Sequence, residues 1–200
     1  MLDTKTALAW MDAFTDAINE NKAHLSKLDN PIGDGDHGHN MARGMNAVKE
    51  SLHNATFTTP GDVFKSVAMS LISKVGGAAG PLYGTAFLNM SKAAGSKETL
   101  EASDLTGVLE AGLNGIKTRG KATTNEKTMV DLWAPAVETL KNGKTLDHDK
   151  LDALVEATKD MQATKGRAAY LGARSIGHID PGATSSGLLM KTMINSGVLS

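Results

Sequence analysis

The chain contains no cysteine, which excludes disulfides, thiolate zinc sites and a cysteine nucleophile. It also lacks an excess of either charge. Twenty-one basic residues against 22 acidic ones give a formal charge of −1, so there is no overall electrostatic case for nucleic acid or an anionic membrane, and any basic patch must be local. No apolar run approaches the roughly 20 residues of a transmembrane helix. The start, Met1-Leu2-Asp3-Thr4, has no basic region followed by an apolar one, and a cytoplasmic protein is expected. Nowhere do four to eight residues alternate apolar and polar with the Val, Ile and Tyr enrichment of a strand. A fixed-period repeat and a low-complexity tail are missing too, which argues against a solenoid.

What is present is helical periodicity. At 200 residues and 40% hydrophobic content the chain can bury one core, and a single domain over 1–200 is expected. Ala7, Trp10, Met11, Phe14 and Ile18 recur at steps of three and four, placing one amphipathic helix from Thr4 to about Lys22. Met41, Met45, Val48 and Leu52 mark a second helix, and Val63, Phe64, Val67, Leu71 and Ile72 a third after Thr59-Pro60-Gly61. Ala86, Phe87, Met90 and Ala94 mark a fourth whose first turn suits Pro81. Asp104 can cap a fifth that ends near Arg119-Gly120. The sixth spans Met129 to Leu140 with Pro135 inside it, the seventh opens at Asp147 or Asp149 and runs to about Lys165-Gly166, and the eighth runs from about Ala183 to Asn195. The expected fold is an all-α antiparallel bundle or barrel of about eight helices with short connections.

One stretch carries more chemistry than the rest. Asp29-Asn30-Pro31-Ile32-Gly33-Asp34-Gly35-Asp36-His37-Gly38-His39-Asn40 places three carboxylates within eight residues and leads straight into the second helix. Carboxylates are the hard oxygen ligands that Mg²⁺ or Ca²⁺ require, and the N–H groups of a helix start favour an anion such as phosphate. A divalent ion bridging a phosphate to this loop satisfies both charge patterns. The plainer reading is a solvated turn with Asp as turn former and N-cap; Asp29, His37 and Asn40 on the same loop favour the metal.

Other loops could join it. Glycine-rich turns recur at Gly33–Gly38, Gly76–Gly80, Gly120 and Gly177–Gly182, and together they could form an end of the bundle where backbone approaches a ligand closely. Gly33-x-Gly35-x-x-Gly38 matches the dinucleotide fingerprint only formally, because a helix and Pro31 precede it where a strand is required. No Walker A loop occurs, so Gly76-Gly77-Ala78-Ala79-Gly80 would hold phosphate by backbone N–H alone, or else serve tight helix packing. Lys165 to Gly182 is a long loop with three cations, too apolar for disorder, and should fold over something. Arg167 within it could hold a phosphate by two N–H bonds, and Arg174 could pair with a surface acid. His37, His39 and His178 are each candidates for a metal ligand or general base, with His37 favoured by its neighbours.

Four ordered motifs resemble the nucleotide-binding L subunits of phosphotransferase-system-dependent dihydroxyacetone kinases. They are Ile32-Gly33-Asp34-Gly35-Asp36-His37-Gly38 with Asn40-Met41; Val75-Gly76-Gly77-Ala78 with Gly80-Pro81-Leu82; Arg119-Gly120-Lys121-Ala122 with Lys127-Thr128-Met129; and Lys165-Gly166-Arg167-Ala168 through Asp180-Pro181-Gly182-Ala183-Thr184-Ser185. The resemblance implies an eight-helix antiparallel barrel with the nucleotide at one end. It implies that Asp29, Asp34 and Asp36 hold two Mg²⁺ ions bridging the phosphates of ADP. It implies that His37, Gly38, His39 and Asn40 line the phosphates, that Ala78 and Ala79 lie against the nucleotide, and that Gly120, Met129, Arg167, Asp180, Pro181 and Gly182 complete the pocket. Ala79 stands where relatives often have Ser, so a hydroxyl contact to phosphate is replaced by backbone N–H.

The chemistry implied is a phosphoryl relay. Bound ADP, kept as a coenzyme, would take a phosphoryl group from a phosphohistidine on the M subunit and, as ATP, pass it to dihydroxyacetone held by the K subunit. No catalytic nucleophile or base is expected of this chain, and, ending at Ser200 without a substrate domain, it should be inactive on free dihydroxyacetone alone. Two alternatives stand beside this reading: an ATP-dependent kinase module of the same superfamily acting on dihydroxyacetone or a fatty acid, and a non-enzymatic nucleotide-sensing subunit that binds a transcription regulator.

Overall fold

The computed structural model describes residues 1–199. Among them are eight α-helices: α1 (Thr4–Asp29), α2 (His37–His53), α3 (Pro60–Lys74), α4 (Ala79–Ala94), α5 (Ala102–Gly120), α6 (Val130–Lys141), α7 (His148–Ala157) and α8 (Pro181–Asn195). Two short 3₁₀ segments, Thr158–Asp160 and Arg167–Ser175, lie between α7 and α8. Each helix packs on its neighbours in sequence, and α8 packs back on α1, so the eight close into a ring. Helices joined by short connections alternate in direction. The α1–α2, α3–α4, α5–α6 and α7–α8 connections therefore share one end of the barrel.

The apolar stripes meet inside. Trp10, Phe14, Met41, Met45, Phe64, Val67, Phe87, Met90, Leu109, Trp133 and Leu189 are all buried. Trp10 packs edge-on against Phe64 with centroids 6.0 Å apart, and its indole N–H donates to the Leu189 carbonyl at 3.0 Å, tying α1 to α8 where the ring closes. Outside the helices, Leu2–Asp3 (β1) and Thr99–Leu100 (β2) form one antiparallel pair. It is too short to show as alternation in the sequence, and it fastens the chain's start to the α4–α5 connection, with Leu2 fully buried.

Several boundaries differ from expectation for identifiable reasons. α1 continues past Lys22 to Asp29 because Leu25 and Ser26 stay buried against the first turn of α2, where Gly38 lies so close that a Cβ would sit 1.9 Å from the Lys22 carbonyl oxygen. α5 starts at Ala102, and Asp104 reaches back to accept from the Glu101 N–H at 3.3 Å, so it serves from the third helical position. Asp147 caps α7 by accepting from the Lys150 N–H at 2.8 Å. That helix stops at Ala157, well short of Lys165, where the chain tightens into the 3₁₀ turn Thr158–Asp160 and the Thr158 and Met161 carbonyls accept from the Lys127 ammonium. α8 opens at Pro181, whose missing N–H costs nothing at a first helical position. Pro135 is accommodated within a continuous α6.

Replacing Trp10 by Phe removes the hydrogen bond across the closure and part of a filled volume, so a loss of about 2 kcal/mol is expected. Urea unfolding followed by circular dichroism measures it; an unchanged midpoint would show that the α1–α8 contact does not limit stability.

Candidate functional site

The shared end of the barrel holds a cleft of about 460 Å³, within the range of small-molecule and cofactor sites. All four connections contribute to it. Of the residues singled out in the sequence, Asp29, Asp34, Asp36, His37, Asn40, Ala78, Ala79, Gly120, Met129, Arg167, Asp180, Pro181 and Gly182 line it. Gly38 is buried against α1 and His39 is exposed, and neither side lines the cleft. His178 also lies outside the lining.

Asp29 is brought to the site from the last turn of α1. Its backbone carbonyl accepts from the Gly33 N–H at 2.6 Å and the Ile32 N–H at 3.2 Å, which folds the loop back over it. Its Oδ2 accepts from the N–H groups of Asp36 at 3.0 Å and His37 at 3.2 Å. These are two of the four donors that the start of α2 leaves without an intrahelical partner; the other two belong to Gly38 and His39. Gly33 is required here, because a Cβ at that position would lie 2.0 Å from Asp29 Oδ1.

The three carboxylates converge. One oxygen from each of Asp29, Asp34 and Asp36 lies within 4.8 Å of the others. Trans ligands of an octahedral Mg²⁺ stand about 4.2 Å apart, so small side-chain rotations would bring these oxygens onto a single hard cation. Electrostatics agree with that fit. Burial, then a hydrogen bond with the Asp34 side chain and the charges of Asp34 and Asp29, push the Asp36 carboxyl above its usual value, although Asn40 works the other way. Burial also acts to raise Asp34, but its hydrogen bond with Asp36 and the Arg167 guanidinium outweigh this and hold it low. Arg167 Nη1 lies 2.6 Å from Asp34 Oδ2. A cation between the carboxylates would relieve their mutual repulsion.

On the same cleft, α4 starts at Ala79 without a side-chain cap, and Gly76, Gly77, Ala78 and Ala79 line it. An uncapped helix start that opens into a cleft favours an anion through its free N–H groups and dipole. Thus a cation-binding wall and an anion-binding wall face the same volume.

His37 is fixed by residues that periodicity did not reveal. Its Nε2 lies 3.0 Å from Ser185 Oγ, and the Ser185 hydroxyl is 2.7 Å from Tyr83 OH. Tyr83 OH lies 2.8 Å from Ser186 Oγ, which accepts from the Trp133 indole at 3.0 Å. Burial lowers His37 to about 4 and raises the Tyr83 phenol. Ser185 appears in the fourth motif, but a serine in an α8 stripe carries no signal of its partners. Lys127 was likewise visible only as a motif letter, yet it lines the cleft and is 2% exposed.

Asp180 caps α8, its Oδ2 accepting from the Ala183 N–H at 2.7 Å. Burial pushes its carboxyl up to about 7, against the pull of the Ala183 N–H and Lys127. A raised carboxyl value means that the folded chain binds more protons than the unfolded one between pH 3.8 and about 7, so this group's contribution to stability falls as pH rises through that window. Asp180→Asn keeps the cap and removes the titration. Relative to wild type, the variant should gain about 2 kcal/mol of stability between pH 5 and pH 7, read as a difference of denaturant midpoints at the two pH values. For the carboxylate trio, Asp34→Asn and Asp36→Asn should each weaken Mg²⁺ binding by about tenfold or more in calorimetric titration, with the helical spectrum unchanged.

Comparison with known proteins is consistent with this geometry. The family described as DAK2 domain matches residues 31–195. The chain is 54% identical over 196 residues, 98% of each sequence, to the Listeria innocua protein named PEP-dependent dihydroxyacetone kinase 1, ADP-binding subunit DhaL. It is 52% identical over 194 residues to the Lactococcus lactis protein named PTS-dependent dihydroxyacetone kinase, ADP-binding subunit DhaL, covering 97% of this chain and 98% of that one. Among solved structures, the dihydroxyacetone kinase from C. freundii in complex with AMP-PNP and Mg²⁺ has a TM-score of 0.71 at 21% identity, over 98% of this chain and 34% of that one. At that identity the likeness shows the fold alone. With the family match spanning most of its length and two relatives above half identity, the chain belongs to the DAK2 domain family.

Proposed function

We propose that this chain is the ADP-binding, phosphoryl-relay subunit of a dihydroxyacetone kinase. Its bound ADP would accept a phosphoryl group from a phosphohistidine on an M subunit and, as ATP, deliver it to dihydroxyacetone held by a K subunit. The observation that carries this reading is that the Asp29, Asp34 and Asp36 oxygens, within 4.8 Å of one another, and the uncapped start of α4 line one cleft. That pairing of walls suits a polyphosphate bridged by divalent cations, and the names of the relatives support a nucleotide diphosphate as the occupant.

Asp29, Asp34 and Asp36 would hold two Mg²⁺ ions, which supply charge neutralisation for the phosphates and alignment for an in-line transfer. His37, Gly38, His39 and Asn40 would meet the phosphates from the first turn of α2, with Gly38 and His39 acting through backbone N–H. Ala78 and Ala79 would do the same from α4. Gly120, Met129, Asp180, Pro181 and Gly182 would wall the rest of the nucleotide, and Arg167, released from Asp34, would approach the phosphates from above. No side chain is required as nucleophile or general base, because the phosphohistidine and the bound substrate belong to the partners. The chain alone is therefore expected to be inactive on free dihydroxyacetone, and the open end of the cleft is the face that must meet both partners in turn.

The test begins with the purified chain, denatured to release and identify any retained nucleotide. ADP should be recovered in near-stoichiometric amount, and a phosphohistidine donor should convert it to ATP while it stays bound. Asp34→Ala or Asp36→Ala should lose Mg²⁺-dependent retention with the helical fold preserved. A chain purified empty that turns over free ATP would overturn the relay.

A further inference from the structure

Lys127 is a buried cation that the reading above does not use. It sits in the α5–α6 connection with φ of 59°, a left-handed conformation uncommon for a residue with a side chain. The conformation is held by Asp131 at the start of α6, whose carboxylate accepts from the Asn125 N–H at 2.5 Å and the Thr128 N–H at 2.8 Å. With the backbone so turned, the Lys127 side chain runs inward and is 2% exposed.

Its ammonium meets main-chain oxygens of the segment that follows α7. It donates to the carbonyls of Thr158 at 2.6 Å and Met161 at 3.2 Å, lies 3.4 Å from that of Lys159, and also donates to that of His178. These carbonyls come from both ends of residues 158–180, a strap that otherwise holds together chiefly through its own turns. Gly177 N–H donates to the Lys159 carbonyl at 2.8 Å, and Asp180 N–H to the Thr158 hydroxyl at 3.0 Å. The strap carries Arg167 to Asp34 and sets Asp180 at the head of α8. Outside, Glu126 gives it a second, exposed tether through Thr164 at 3.1 Å and Lys165 at 3.6 Å.

We propose that Lys127 is a positioning residue that latches the strap, and with it Arg167 and Asp180, across the open end of the cleft. A buried ammonium gives a non-repeating segment what a helix would obtain from its own N–H ladder, since bonds to a charged donor are worth about twice a neutral one. The latch lies on the connection that also brings Met129 to the cleft, so it ties the strap to one wall of the site. Its consequence for a held nucleotide rests on the proposed function: opening the strap should be the step that lets nucleotide leave.

The latch is tested by hydrogen exchange on the whole chain without added ligand. Lys127→Met keeps the apolar stem and removes the donor, and amides of 159–178 should then exchange at least about tenfold faster, the effect of losing one charged hydrogen bond, while α1 to α4 are unchanged. In Lys127→Ala, added propylammonium should restore protection where propanol does not, a charge-specific rescue that loss of packing would not show. Should both variants fail to fold, wild-type chain is treated with a reductive methylating reagent: Lys127 should react only as fast as the strap amides exchange. Strap protection unchanged in the variants, rescue by propanol as good as by propylammonium, or Lys127 methylated as fast as exposed lysines would each overturn the latch. In a separate arm, ADP release measured by filter retention should be faster in Lys127→Met. Wild-type chain that holds no ADP would count against the proposed function and leave the exchange result to decide the latch.

Discussion

Ring closure is the constraint on which the site depends. Eight helices of alternating direction, each packed on its sequence neighbours and the last on the first, leave the odd-numbered connections no choice but to gather at one end. Residues of those connections are then close enough to pair across long sequence separations, as Arg167 does with Asp34 and Lys127 with the Thr158 and Met161 carbonyls. The buried Trp10 and Trp133, whose indole N–H groups reach α8 from α1 and α6, hold the stripes in register. The loops at the shared end are thereby free to carry charge, glycine and left-handed backbone that a core would not tolerate.

Within that end, charge is arranged so that each wall needs what lies between them. Three carboxylates crowd together there, where burial first and then their hydrogen bonding and mutual charge raise Asp36, and an uncapped helix start lines the same cleft. Asp29 belongs to both structure and chemistry. Its Oδ2 caps α2 while the same side chain stands within the carboxylate trio. Removing it costs a helix cap as well as one member of the carboxylate trio, whereas the side chains of Asp34 and Asp36 cap no helix. That difference makes the latter two the cleaner probes of metal binding.

The strap between α7 and α8 shows how a long irregular segment is ordered without regular secondary structure. Its largest apolar side chains are left outside the core, Tyr170 being 89% and Ile176 45% exposed. Its order comes instead from polar anchoring, through Glu126 outside and Lys127 inside, together with its own turns. Polar anchoring of this kind is local and reversible.

Periodicity of apolar residues determined the eight helices and the all-α class, because burial of one face imposes its spacing directly on the sequence. The acidic run determined the character of the site, since no other residue type supplies hard oxygen ligands at such density, and the ordered motifs determined the family. Helix ends were decided elsewhere. α1 reaches Asp29 where Lys22 and Ser26 pack against Gly38 of α2, and beyond Ala157 the chain turns so that its carbonyls meet Lys127, both contacts between different elements. The pairing of Ser185 with His37 and with Tyr83, 148 and 102 residues away, and the inward turn of Lys127 were likewise decided only by tertiary structure. Side-chain hydrogen bonds between distant helices have no period and no composition, so nothing in the order of residues announces them. Asp29 marks the boundary between the two kinds of information: its chemistry could be read in the sequence, but the turn that brings it to Asp34 and Asp36 depends on where the folded loop places Gly33.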